Sequence, residues 1–156
     1  MRCCCCLSAS KWRADEQPSS VTYQCQCGCT VTDSIGYIIA SARQRCHTTI
    51  RRWTIHVKPQ HTISLTIDYF ILSQLSSVRV YDSAKSTADG NHLPLLLLKL
   101  TNNGEDEYAA KTLVTSGNRM LIEYIIMDND MSAVRNNEGF IASYIATREF
   151  TGIALH

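Results

Sequence analysis

The residues best suited to chemistry are the cysteines, and they are unevenly placed. Of eight, Cys3 to Cys6 form a block, Cys25, Cys27 and Cys29 alternate, Cys46 stands alone, and none follows. With no cysteine beyond Cys46, the body from about residue 50 needs no staples and any bridge belongs to the first third; four consecutive cysteines cannot all pair among themselves in ordinary disulfide geometry. Zinc is the competing chemistry. Cys25-x-Cys27-x-Cys29 with Cys46-His47 offers soft ligands, but not the two-to-four-residue gaps usual in structural zinc knuckles. His56 and His61 flank a turn without a third ligand, and Asp128 and Asp130 share one side of a loop without a partner acid elsewhere. Gly-x-Ser-x-Gly, a glycine-rich phosphate loop and paired carboxylates are all missing. The sequence therefore assigns no catalytic residue and no cofactor-binding residue. It points to binding.

The elements that must position these residues read as strands. Trp53, Ile55 and Val57 face one way, with Thr54 and His56 on the other side. After the Lys58-Pro59-Gln60-His61 turn, Ile63, Leu65, Ile67, Tyr69 and Ile71 alternate with polar residues, and the two apolar faces predict a hairpin. Val78 and Val80 begin another strand, and Leu93 to Leu100 reads as one buried on both faces. Leu113 and Thr115 make a short strand, and Ser116-Gly117-Asn118 predicts a chain reversal with Gly117 at positive φ. Met120 to Met127 is a long apolar strand, and Phe140, Ala142 and Tyr144 line one face of the last. Trp53, Tyr69, Tyr124, Phe140 and Tyr144 are expected in the core. Ser83 to Asn91 and Asp128 to Asn137 are long polar loops, and a shorter loop follows Asn103-Gly104. Eight or nine short strands between turns predict an all-β fold, an antiparallel sandwich or jelly roll.

Composition sets the outer bounds. The chain has 156 residues, enough for one domain with a full core. A formal net charge of +1 with 19% charged residues argues against a nucleic-acid-binding stripe, so no nucleic-acid partner is expected. No apolar run reaches the ~18 residues of a membrane span. Met1-Arg2 and the cysteine block begin like a signal peptide, but Ser8 to Glu16 interrupts before an apolar region forms, so the signal is unconvincing. Clustered cysteines near a terminus are also palmitoylation acceptors. Residues 1–24 are expected to be a disordered or mis-joined segment, residues 25–147 the sandwich and residues 148–156 a tail. No Asn-x-Ser/Thr acceptor for glycosylation occurs.

From Cys27 onward these residues resemble the CUB domain family, extracellular β-sandwich modules. The resemblance rests on Cys27-Gly28, Trp53-Thr54-Ile55, Phe70-Ile71-Leu72 and Val78-Arg79-Val80-Tyr81-Asp82-Ser83. It rests most on Ser116-Gly117-Asn118-Arg119-Met120-Leu121-Ile122-Glu123-Tyr124 and the closing Gly139-Phe140-Ile141-Ala142-Ser143-Tyr144, and it covers about residues 27–146. It implies a CUB-type sandwich and a non-catalytic extracellular recognition module that binds a protein or carbohydrate partner through its end loops. The alternatives are a fragment of a CUB-bearing secreted protease and an intracellular Cys-rich zinc-binding protein.

The resemblance also implies features that this chain alters. A first disulfide is expected, yet the cysteine two residues before Trp53 is replaced by Arg51, leaving Cys46 as the nearest. Cys27 to Cys46 is the candidate bridge, closing a loop of about twenty residues worth about 3 kcal/mol; Cys25 or Cys29 could take the place of Cys27. Arg51 is expected near the surface. The family's second bridge is absent, with Ser73 and Thr101 near its positions. A calcium site would need several acidic oxygen ligands. Here Ser76 stands where an Asp is expected, the Glu after Leu72 has no counterpart, and Asp130, beside Asp128, is the surviving candidate. Calcium is therefore not expected as a cofactor.

Overall fold

A computed structural model of the chain describes residues 25–83, 94–102, 112–127 and 137–149. Nine strands are found among them: β1 (Thr30–Val31), β2 (Ile35–Ser41), β3 (Ile50–His56), β4 (His61–Ile71), β5 (Ser77–Asp82), β6 (Leu95–Thr101), β7 (Thr112–Val114), β8 (Arg119–Ile125) and β9 (Gly139–Arg148). They form two sheets. The first has five strands in the order β1-β3-β8-β5-β6, and the second has four in the order β2-β9-β4-β7. All pairings are antiparallel except β1 with β3. The all-β sandwich read from the sequence is the observed architecture.

Period-two alternation decides which side chains meet between the sheets. Trp53 and Ile55 from β3, Val78 and Val80 from β5, and Met120, Ile122 and Tyr124 from β8 are buried from one side. Ile38, Ile63, Leu65, Phe140 and Ala142 answer from the other. Three aromatic rings join the layers at their centre. Phe140 stands edge-on to Trp53, with centroids 5.6 Å apart, and to Tyr124 at 5.7 Å. Such perpendicular contacts add about 0.5–1.5 kcal/mol each to the burial itself.

Several sequence expectations are corrected by the connectivity. β3 and β4 do not form a hairpin, because β3 pairs with β1 and β8 whereas β4 pairs with β9 and β7. The Lys58–Gln60 turn carries the chain from one sheet to the other. Ser116-Gly117-Asn118 does the same in reverse, between β7 and β8, and Gly117 does not take positive φ. An apolar face facing an apolar face is satisfied equally by sandwich packing and by hairpin pairing, so periodicity alone could not separate them. In β4 the register shifts between Ile67 and Tyr69. That bulge turns Tyr69 outward, 43% exposed, while Leu72 beyond the strand is buried. β6 is an edge strand rather than a doubly buried one: Leu95 and Leu96 are each about half exposed, while Leu100 is fully buried.

The crossing at residues 115–118 is held by polar contacts that a simple reversal would not need. Thr115 Oγ1 accepts the Ile63 amide at 2.9 Å and donates to the Gly117 carbonyl at 2.6 Å. The buried carboxylate of Asp82 accepts the Ser116 amide at 2.7 Å, and Asn118 Nδ2 donates to the Val57 carbonyl at 3.0 Å. Each bond satisfies a backbone group that leaves one ladder before joining the next.

Candidate functional site

One end of the sandwich gathers the chain ends that the resemblance assigns to recognition. Ile50 and Ser77 both pair with Ile125, and Gly139 pairs with Ser41 and with Ile71. The starts of β3, β5 and β9 therefore lie beside the ends of β2, β4 and β8. The Ser73–Ser76 turn belongs to this end. Asp128 and Asp130, the calcium candidates, lie outside the described residues, as do Cys3 to Cys6 and most of the loop from Ser83 to Asn91.

Ser76, where the resemblance expects an acid, shares a 2.7 Å hydroxyl hydrogen bond with Ser73, which stands near a position of the missing second bridge. Ser76 is 1% exposed. A neutral hydroxyl pair satisfies itself and offers a hard cation none of the charge that dominates its affinity.

The same end carries a buried cation of the chain's own. Arg51 is 3% exposed, which corrects the expectation that it lies near the surface. Its Nη1 donates to the Ser41 carbonyl at 2.6 Å and its Nη2 to the Gln44 carbonyl at 2.7 Å. The guanidinium sits over the Tyr124 ring, 5.8 Å from its centre, and the Tyr124 hydroxyl donates to Glu138 Oε1 at 3.2 Å. Glu138 is itself buried, and its carbonyl accepts the Ala42 amide. Burial lowers the Arg51 pKa and the electrostatic interaction with Tyr124 offsets part of this; a guanidinium stays protonated in proteins all the same. Burial chiefly, and then the Glu138 carboxylate and its hydrogen bond, push the Tyr124 hydroxyl well above its ordinary value.

The signal for a buried Arg51 was present in the sequence. Arg51, Trp53 and Ile55 share a parity, so the strand that buries the tryptophan must also send Arg51 inward. Arg51 holds the 41–44 segment, and the chain two residues on carries Cys46. Cys46 is disulfide-bonded to Cys27, with Cα atoms 5.6 Å apart, and Cys25 is bonded to Cys29, with Cα atoms 5.9 Å apart. Trp53 Nε1 donates to the Cys25 carbonyl at 2.7 Å, so the cysteine-bearing turn is tied into the core as well. Gly28, with φ +104°, lets this turn approach the Arg52 backbone where a Cβ would collide.

His56 and His61 belong to different sheets. His56 is opposite Arg119 on β8, and His61 Nδ1 lies 3.1 Å from the Pro59 carbonyl. Among the described residues no group of three His, Cys, Asp or Glu side chains is arranged to hold a metal. A shallow hollow of about 370 Å³ lies on the outer face of the four-stranded sheet, with Tyr37, Thr66 and Ser143 in its lining. It holds hydroxyls and apolar groups but no nucleophile paired with a base.

No family model matches the chain, and no curated protein is significantly similar to it. Solved structures do match. The CUB1-EGF-CUB2 domain of human MASP-1/3 superposes with a TM-score of 0.55 at 17% identity, covering 75% of this chain and 43% of that one. The CUB1-EGF-CUB2 domains of rat MASP-1 give 0.52 at 15%, covering 77% and 42%. The full extracellular region of zebrafish Gpr126/Adgrg6 gives 0.53 at 18%, covering 80% and 15%. The chain thus spans less than half the length of each. The fold is CUB-like.

Proposed function

We propose that this CUB-like sandwich is a non-catalytic extracellular recognition module, binding a protein or carbohydrate partner through the loops at the Arg51–Ser73 end without calcium. The observation that carries the reading is the rebuilt end of the sandwich. Ser76 puts a neutral hydroxyl, bonded to Ser73, where an acid is expected, and Arg51 supplies from within the fold a positive group fixed by two carbonyls and an aromatic face. The module is taken as residues 25–147, with the segments on either side outside it. The small share of each structural neighbour that it covers fits a unit that works beside other domains.

The two bridges support an oxidising compartment, where disulfides persist. With Cys25, Cys27, Cys29 and Cys46 bonded to one another, these four offer no thiolate to zinc, which counts against the intracellular zinc reading. A thiol count on unreduced protein tests this: at most four of the eight cysteines should react. Eight reactive thiols, or bound zinc, would overturn the extracellular reading.

A calcium titration tests the site. Millimolar calcium and excess chelator should leave the melting temperature and the amide spectrum unchanged. Saturable binding at sub-millimolar calcium, abolished by Asp130→Ala, would show that the loop supplies its own ligands.

A further inference from the structure

The outer face of the five-stranded sheet concentrates positive charge that the sequence scatters. Arg52 on β3 is opposite Glu123 on β8, Glu123 is opposite Arg79 on β5, and Arg79 is opposite Lys99 on β6. All four occupy outward positions, alternating with the buried Trp53, Tyr124, Val78 or Val80, and Leu100. They form a single row across four strands, about 14 Å from end to end at the usual strand spacing. The next row is largely apolar, Thr54, Leu121, Tyr81 and Leu96, and beyond it His56 stands opposite Arg119.

The one carboxylate in this array is already engaged. Glu123 Oε1 accepts Arg52 Nε at 2.8 Å, and Oε2 accepts the Tyr81 hydroxyl at 3.1 Å. Arg52 uses only Nε in that pair, and its side chain is 58% exposed. Among the described residues, Arg79 and Lys99 have no acidic partner, and the Arg79 Nε is buried without a hydrogen bond. Arg52, Arg79 and Lys99 in the row, with Arg119 beyond the Tyr81–Leu121 rung, set four cations against one committed anion and make a cationic strip. A net charge of +1 for the whole chain conceals it.

We propose that this face binds a sulfated polysaccharide chain of the glycosaminoglycan class. The cations run across the strands from β3 to the edge strand β6, perpendicular to the line a peptide would follow in joining that edge. An extended polyanion needs only its charged groups to meet them. Guanidinium forks match the oxygens of tetrahedral oxyanions, and the Tyr81–Leu121 rung offers apolar surface to the sugar rings between charges. The choice of a sulfated glycan over another polyanion rests on the extracellular reading, which the thiol count tests separately.

The test is fluorescence anisotropy with a labelled heparin oligosaccharide and the disulfide-intact full chain, between about 0.05 and 0.3 M salt, where counterion release governs affinity. Lys99→Glu with Arg119→Glu should weaken binding by more than roughly tenfold and lower the salt slope by about one unit per cation removed. Arg43→Glu and Arg148→Glu, exposed but off this face, should change it little. Glu123→Gln should tighten binding, a gain that misfolding cannot produce. Unchanged melting temperatures for all variants would confirm that the fold is intact. The proposal is overturned if the off-face variants weaken binding equally or if Glu123→Gln has no effect. It is equally overturned if desulfated heparin, poly-glutamate or a single-stranded oligonucleotide competes as well as heparin.

Discussion

Arg51 shows how one buried side chain can tie a loop to the core. Its two charge-assisted hydrogen bonds cap the Ser41 and Gln44 carbonyls, and it lies over the Tyr124 ring. Arg51→Ala would strip the Gln44 carbonyl of its Nη2 partner and leave the Ser41 carbonyl with only the Gln44 amide, beside a cavity, and the expected loss is about 2–4 kcal/mol in a urea titration. Arg51→Lys should recover only part of it, because an ammonium cannot span two carbonyls as a fork does. A loss below about 1 kcal/mol would show that water replaces the guanidinium. Tyr124 makes a separate prediction. An unfolded tyrosine titrates near 10, and burial with the adjacent Glu138 raises the folded value. The folded state therefore keeps the proton to higher pH than the unfolded state. Its contribution is complete below about pH 10 and is lost as pH rises toward the folded value. Stability measured from pH 8 to 11 should fall above pH 10, and Tyr124→Phe should flatten that fall.

At the scale of elements, the glycines separate two kinds of turn. Gly139 opens β9 at φ +150°, in the middle of a sheet, and a Cβ there would strike the Ala40 carbonyl oxygen. Strained backbone of this kind costs about 1–3 kcal/mol before the collision is counted, so Gly139→Ala should lower the denaturation midpoint clearly. Gly117 has no positive φ despite its place in a Ser-Gly-Asn turn, and Gly117→Ala should stay within about 1 kcal/mol of the parent. Equal effects at both sites would contradict the crossing geometry. The Cys27–Cys46 bridge closes a loop of 19 residues. Replacing both cysteines by serine should cost about 3 kcal/mol, with the core otherwise intact because the aromatic cluster lies deeper.

On the scale of the whole molecule, the two sheets share a core and turn unlike faces to solvent. The outer face of the four-stranded sheet is uncharged along the row Tyr37, Ser143, Thr66, Thr112, whereas the outer face of the other carries the cationic strip. Recognition at the loop end and recognition on the strip should therefore respond differently to salt. Partner binding through end loops built around a buried Arg51 should vary little between 0.05 and 0.3 M, and polyanion binding should fall steeply. Competition between a loop-end partner and heparin would show instead that one surface serves both.

The sequence by itself determined the strands and their inward faces. Alternation around Trp53, Ile63–Ile67, Met120–Tyr124 and Phe140–Tyr144 is a local property, and burial followed it residue by residue. It also carried the CUB-like fold, because Ser116–Tyr124 and Gly139–Tyr144 preserve a specific order of turns and strands. What it left open is everything that depends on which strand meets which. Periodicity says that a face is apolar, not whether its partner is across a hairpin or across the sandwich, so by sequence the 58–60 and 116–118 connections look like reversals. It cannot see a bulge, which turned Tyr69 outward, or an edge, which half exposed Leu95 and Leu96. Arg52, Arg79, Lys99 and Arg119 are separated by twenty residues or more along the chain. Only the pairing register brings them onto one face, and charge acts through space rather than along sequence.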